Sequence, residues 1–321
     1  MSIPEAVHRF KDIFYETVKQ IPAGRVTTYG TLAQALGDKI ASRAVGKMLN
    51  ENPRPIEVPC HRVVMSNGDI GGFGLGVEKK KELLRKEDIK IENDRILDFK
   101  DIIFKDFKTE PVLTRLRTEQ DIASKKVQLV EDSLIPDIVG GVDVSYSGDK
   151  AYGSLSLWNG DEEISNIVVE EEISFPYIPT YLAYRELPVL MKLVERSDMT
   201  PDVILVDGNG ILHPNRIGLA SHLGVEVGIP TVGVAKNKLL GRLDGEVTHE
   251  EPVKQVLYND KMLGYAYLSS SRAKNPIYVS PGHKISFEAS LDIVKKYSEY
   301  KIPHPIRNAH ITATNRRKSH G

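Results

Sequence analysis

The only cysteine among the 321 residues is Cys60, followed at once by a histidine in the stretch IEVPCHRVV, residues 56–64. A thiol attacks as its thiolate, and an adjacent base is a common means of making one near neutral pH, so Cys60 and His61 together offer nucleophilic chemistry. On an extended strand neighbouring side chains point to opposite faces; the two can meet only where the backbone turns, and Pro59 favours such a departure. On composition alone, a lone cysteine among valines is more often a buried small hydrophobe. A second set of residues offers different chemistry. Asp143 in GGVDVSYS, Glu186 in LAYRELP and Asp207 in ILVDGNG are acids at strand ends or on a helix facing a sheet. Asp207 follows the apolar run VILV, which puts it at the carboxyl end of a central strand, where open α/β sheets hold their sites. Three convergent carboxylates suit a hard cation such as magnesium, and metals so held promote phosphodiester hydrolysis.

These residues need elements to position them. Val7, Phe10, Phe14, Val18 and Ile21 recur at three- and four-residue steps, which predicts an amphipathic helix over 5–21. Thr28 can cap a short helix from Tyr29 to Leu36 that Gly37 ends, and a second runs from about Ser42 to Leu49, stopped by NENPRP. Two short helices joined by a brief turn resemble a helix-turn-helix. VPCHRVV then reads as a strand, SNGDIGGFGLG as a glycine-rich loop and VEKKKELLRKED as a closing helix. Residues 91–110 show no helical stripe, so a domain boundary falls near residue 97, giving domains 1–96 and 97–321. The second opens with a helical pattern over PVLTRLRTEQDIASKKVQLV. Strands DIVGGVDVSYS and AYGSLSLWN follow, joined around Gly148, then a third strand EISNIVVEEEI. A helix beginning at Thr180, the strand DVILVDGNG, the helix RIGLASHLGVEVG and the strand TVGVAK complete a mixed sheet flanked by helices.

Composition bounds the function. Hydrophobic content of 40% and charged content of 27% are those of an ordinary globular chain. No apolar run approaches the roughly 20 residues that span a bilayer, and the charged N-terminus lacks the apolar core of a signal peptide. A cytoplasmic location is expected, in keeping with a single cysteine that cannot form an intrachain disulfide. The net charge is -1, but residues 1–96 hold 16 Lys and Arg against 13 Asp and Glu, and the remainder 27 against 31. That local basicity is compatible with phosphate binding.

Residues 1–96 resemble the C-terminal domain of the O6-alkylguanine-DNA alkyltransferases through RVTTYGTLA, RAVGKMLNENPRPIEVPCHRVV, NGDIGGFGLG and KKKELLRKED, in that family's order and spacing. The resemblance implies an α+β winged-helix-like domain that binds double-stranded DNA containing O6-alkylguanine and needs no cofactor. It implies that Cys60 accepts the alkyl group from a flipped guanine, that His61 deprotonates it through a water and that Glu87 orients the histidine. Asn52 corresponds to the asparagine of the active-site turn, Tyr29 to a tyrosine of the base pocket, and Arg43 to the arginine that fills the space the base leaves. Base flipping needs such an intruder, and alkyl transfer needs a desolvated thiolate. Members of that family usually carry a further N-terminal domain, whereas about 20 residues precede IPAGRV here.

Residues 107–315 resemble endonuclease V through GVDVSY, FPYIPTYLAYRELP, DGNGILHPNRIGLASHLGV, TVGVAKNKL, YVSPGHKIS and HPIRNAHI. That resemblance implies an α/β ribonuclease-H-like domain that uses Mg2+ (or Mn2+) to nick duplex DNA at the second phosphodiester 3′ to deoxyinosine. Asp143, Glu186 and Asp207 would be the metal-binding acids, with Lys236 and His310 at the same site. Pro176, Tyr177, Ile178 and Pro179 would form a wedge whose tyrosine enters the duplex, and His213 would lie near the acids. Taken singly, Lys236 reads more readily as a solvated lysine, PYIP as a rigid linker and His310 as frayed surface; their joint order favours the site. No obligate protein partner is evident. An alternative makes the N-terminal domain a damage sensor that loads the nuclease without efficient transfer. A third makes the chain a regulatory DNA-binding protein, against which the three intact acids count.

Overall fold

The computed structural model describes residues 5–131 and 135–320. Contacts divide the chain into two compact units. One runs from the N-terminus to Thr118 and takes in Ser174–Pro179; the other comprises Glu119–Ile173 and Thr180–Gly321.

In the first unit the amphipathic stretch folds as two helices, Glu5–His8 and Phe10–Lys19, and buries Phe10, Phe14 and Val18. Thr28 caps the helix Tyr29–Ala35 by accepting a hydrogen bond from the Thr31 amide at 3.1 Å. The helix Ser42–Asn50 follows and buries Ala44, Val45, Met48 and Leu49. The strand expected over VPCHRVV shrinks to Val63–Val64, which pairs in parallel with Thr27–Thr28. Pro59 is the reason. Its φ of -78 and ψ of 59, with the Cys60 amide donating to the Val58 carbonyl at 2.7 Å, make an inverse γ-turn. The chain then enters a 3-10 turn over Cys60–Arg62. The closing helix is Val77–Lys86. Beyond residue 97 the backbone stays with this unit. Phe104 donates to the Val26 carbonyl at 2.6 Å and Leu113 to that of Leu36 at 2.8 Å. Main-chain bonds of this kind leave no periodic trace in side chains.

The second unit is built on one nine-stranded sheet. Its order is Arg242–Leu243, Val253–Tyr258, Lys261–Tyr267, Ile277–His283, Thr231–Ala235, Val203–Asp207, Ile138–Ser147, Lys150–Asn159, Glu162–Glu172. The three central strands Thr231–Ala235, Val203–Asp207 and Ile138–Ser147 run parallel and the other pairings are antiparallel, so the mixed sheet read from the sequence is present. Alternate residues feed opposite faces. Val142, Ile204 and Val206 pack with the helices Leu182–Glu195 and Leu219–Val227. Val139, Val203 and Leu205 pack on the other side with the helices Phe287–Lys296 and His304–His320.

Three helix boundaries depart from expectation. The opening helix is Val112–Ser124 rather than reaching residue 130, because Gln128 bonds through its amide to His283 Nδ1 and through its carbonyl to the Lys284 amide. Thr180 does not start the next helix: it has φ 67, its carbonyl accepts from Gln120 Nε2 at 2.8 Å, and the helix begins at Leu182. The third begins at Leu219 because Arg216 has φ 56 and the Gly218 amide is bonded to the Gly210 carbonyl.

The C-terminal helix sits tight on the sheet at Gly141, where an added Cβ would lie 2.1 Å from the Pro305 carbonyl carbon. The obstacle is backbone on both sides and cannot swing away. Gly141→Ala should therefore cost about 3 kcal/mol and lower the melting temperature of this unit by roughly 5 to 10 °C in calorimetry. An unchanged transition would mean that the helix is not seated there.

Candidate active sites

Cys60 is 5% exposed and lies on the wall of a cavity of ≈ 240 Å³ lined also by Tyr29, Gly46, Leu49, Asn50, Gly72, Phe73 and Gly74. Its Sγ accepts a hydrogen bond from Asn52 Nδ2 at 3.1 Å, and the same amide nitrogen donates to the Val58 carbonyl at 3.2 Å. Asn52 Oδ1 accepts from the Arg54 amide, so the carboxamide is held from both ends. Fixed in this way, it can stabilise negative charge on sulfur.

Among the described residues His61 makes no hydrogen bond to the thiol. Its Nε2 pairs with Glu87 Oε1 at 2.9 Å, while its Nδ1 is buried without a hydrogen-bond partner among the described residues. Glu87 stands just past the helix Val77–Lys86 and also takes a two-pronged bond from Arg62, with Nε 2.9 Å from Oε2 and Nη2 2.7 Å from Oε1. Burial pulls the His61 imidazole below its usual range, and Glu87 opposes that pull. Burial pushes Glu87 up, but hydrogen bonds from Arg62 and His61 outweigh it and hold the carboxyl below the ordinary glutamate range. A histidine whose imidazole is held below its usual range, with a buried nitrogen open and a carboxylate behind it, is chemically able to accept a proton. Tyr29 is half-buried at the cavity, its phenol raised by burial and then by the Cys60 charge, while Arg43 is exposed on the helix Ser42–Asn50.

The sequence reading passed over Lys80. It is 0% exposed and donates to the Val63 carbonyl at 2.5 Å and the Gly72 carbonyl at 3.0 Å, tying the glycine loop to the segment that follows Cys60. Burial pulls its ammonium down to about 8, against a smaller upward push from Cys60. Residues 80, 84 and 87 fall at i, i+4 and i+7, the spacing of one helix face; that spacing separates Lys80 from its solvated neighbours Lys79 and Lys81.

In the second unit, register brings two acids together. Val142 pairs with Val206 across parallel strands, which sets Asp143 beside Asp207, and Glu186 comes from the helix Leu182–Glu195. Each carboxylate faces a proton donor. Asp143 Oδ2 lies 2.9 Å from His310 Nδ1, Asp207 Oδ2 lies 2.5 Å from Lys236 Nζ, and Glu186 Oε1 accepts from the Tyr146 hydroxyl at 2.5 Å. No three His, Cys, Asp or Glu groups among the described residues are arranged so as to enclose an ion. The donor chemistry nevertheless fits a hard cation. Burial, with Asp207 adding to it, pushes Asp143 up to about 6, and burial pushes Glu186 up to about 8. Clustered carboxylates that resist ionising together are those a divalent ion relieves. Burial lowers the Lys236 ammonium, but the Asp207 charge more than restores it. His213 is buried and its Nδ1 accepts from the Asn215 amide, so that nitrogen is engaged within its own loop. Pro176, Ile178 and Pro179 are buried or half-buried and Tyr177 is 59% exposed; the segment groups with the unit that ends at Thr118. Tyr146 is the other residue the sequence reading missed, and only the pairing of its strand face with the helix reveals it.

A family model for Endonuclease V matches residues 121–311, and one for 6-O-methylguanine DNA methyltransferase, DNA binding domain, matches residues 9–89. A bifunctional methyltransferase/endonuclease from Picrophilus torridus is 39% identical over 92% of this chain and 93% of its own length. One of the same description from Thermoplasma volcanium is 34% identical over 92% of this chain and 87% of its own. Among solved structures, endonuclease V of Ciona intestinalis, in complex with a 24mer DNA containing an inosine followed by a ribo-adenosine, is 28% identical with a TM-score of 0.61. It covers 66% of this chain and 100% of that one. The endonuclease V family is metal-dependent. Among the described residues no helix is long and apolar enough to cross a membrane.

Raised carboxyl groups make stability depend on pH with a definite sign. Between the ordinary glutamate range and about 8 the folded chain holds a proton on Glu186 that the unfolded chain has lost, so stability falls as pH rises through that window. Buried His222, pulled down to about 4 by burial, acts oppositely below its unfolded value, so the effect is read by difference. With EDTA present, thermal melts of the parent should lose stability relative to Glu186→Gln from pH 5 to 8. Parallel curves would contradict the shift.

Proposed function

Because the chain belongs to the bifunctional methyltransferase/endonuclease family, and its residues 121–311 to endonuclease V, we propose that it repairs double-stranded DNA in two chemically separate ways. One removes alkyl groups from O6-alkylguanine and the other nicks at the second phosphodiester 3′ to deoxyinosine. The observation that carries this reading is that one chain assembles both chemistries, a thiol on a cavity wall and three acids on adjoining elements. Residues 1–96 would hold the groups of the first and residues 97–321 those of the second, although the chain packs with the first unit as far as Thr118. The cytoplasm, a reducing compartment, would keep Cys60 as a thiol.

In the first reaction guanine leaves the duplex and enters the cavity beside Tyr29, while Arg43, exposed on its helix, fills the vacated space. The Cys60 proton passes by way of a water to His61, whose imidazolium Glu87 stabilises. Cys60 Sγ then forms a bond to the alkyl carbon as the carbon–oxygen bond breaks, and the electrons leave on the guanine, which regains its O6 carbonyl and takes a proton at N1. Asn52 supports the sulfur through the bond at 3.1 Å. The thioether formed has no route back, so each chain acts once.

In the second reaction Asp143, Glu186 and Asp207 would hold Mg2+, with Mn2+ able to replace it. When bound, the ion polarises the phosphate and lowers the pKa of a water. Lys236, bonded to Asp207, would neutralise charge on the phosphate, and His310 would hold Asp143 through its Nδ1. Tyr177, its ring largely in solvent between prolines that fix the backbone, suits entry into a base stack. His213, close behind DGNG in sequence, is buried and would support this set by ordering its own loop.

Incubation of the full chain with O6-methylguanine DNA and with deoxyinosine DNA, each with and without EDTA, tests both halves. Transfer of one labelled methyl group per chain should survive chelation and vanish in Cys60→Ala. Nicking should require the metal and fall at least about a thousandfold in Asp207→Ala, the scale of losing a group that stabilises transition-state charge. Nicking without transfer would support a damage-sensing first domain. Full nicking by Asp207→Ala would remove the metal-site assignment.

A further inference from the structure

The geometry points to a role for Tyr146 beside the acids: its hydroxyl reserves one oxygen of Glu186, so that Glu186 serves the nuclease's metal through the other oxygen alone and the site favours Mg2+ over Ca2+. This rests on the metal-site reading above. Tyr146 shares with Val142 and Val144 the strand face that packs on the helix Leu182–Glu195, so its phenol approaches Glu186 from the sheet side. The hydroxyl donates to Glu186 Oε1 at 2.5 Å, a short bond of the kind that joins a hydroxyl to a carboxylate. The ring is pinned in turn by the Arg185 guanidinium, whose carbon lies 4.3 Å from the ring centre. Glu186 Oε2 takes no hydrogen bond among the described residues.

A carboxylate held in this way offers a metal one ligand atom. Mg2+ accepts six oxygens in a strict octahedron and keeps several waters, so single-oxygen carboxylates suit it; Ca2+ takes six to eight and gains from carboxylates that supply both oxygens. Tyr146→Phe keeps the ring, its packing and the stacking of Arg185 on it, but removes the hydroxyl that bonds both Arg185 and Glu186, and so releases Oε1. The second oxygen then becomes available to the ion that can use it.

The test uses the full chain and the metal alone. Mn2+ is bound to the protein, and the electron paramagnetic resonance signal of free Mn2+ is followed as Mg2+ or Ca2+ displaces it. In Tyr146→Phe the potency of Ca2+ relative to Mg2+ should rise about fivefold or more, with the melting temperature of the metal-free protein little changed. An unchanged ratio overturns the role of Tyr146. Asp207→Ala separates the two readings. If it binds Mn2+ as the parent does, the metal site itself is wrong and this inference falls with it. If it loses Mn2+ while Tyr146→Phe leaves the ratio unaltered, only the tyrosine's role is lost.

Discussion

Negative charge gathered at the carboxyl end of the central strands governs the second unit. The pairing of Val142 with Val206 forces Asp143 and Asp207 into each other's field, and the helix above adds Glu186. In this buried setting Asp143 and Glu186 resist ionising without relief. The fold supplies it from three directions: Lys236 just past the neighbouring strand, His310 from the last helix and Tyr146 from the strand that bears Asp143. Each donor satisfies one acid and leaves the others' repulsion in place, so an appetite for a cation is built into the backbone register.

The alkyl-acceptor site solves a related problem by the opposite means. Its charge is gathered on one carboxylate, Glu87, which ties His61 and Arg62 together and is stabilised by both. Sulfur is kept apart from that cluster and given to an amide, Asn52. The γ-turn at Pro59 makes the separation workable, because it lets consecutive side chains serve different partners rather than opposite faces of a strand.

Patterns of period and capping were legible in the sequence wherever a side chain is the cause of the structure. The Thr28 cap, the buried stripe of Phe10, Phe14 and Val18, and the place of Asp207 after VILV all belong to that class. What escaped has causes that side-chain patterns do not carry. The strand expected over VPCHRVV failed on two backbone angles at Pro59, and residues beyond 97 attach through main-chain bonds to Val26 and Leu36. Lys80 lies hidden in a run of three lysines, and Tyr146 gains meaning only once its strand is laid on a helix. Cys60, His61 and Glu87, and equally Asp143 and Asp207, were named without geometry. Which of them bond to one another was not readable, and among the described residues no hydrogen bond joins the thiol to the histidine.

The bond between His310 and Asp143 joins residues 167 positions apart. The alkyl-acceptor site, by contrast, draws its thiol, amide, histidine and carboxylate from a span that closes at Glu87. In synthesis the bonded partners of Cys60 and His61 are therefore all made by residue 87, although the unit that holds them also packs chain as far as Thr118 and Ser174–Pro179, whereas Asp143 waits for its partner until residue 310. One cluster closes over a short span of chain and the other over a long one.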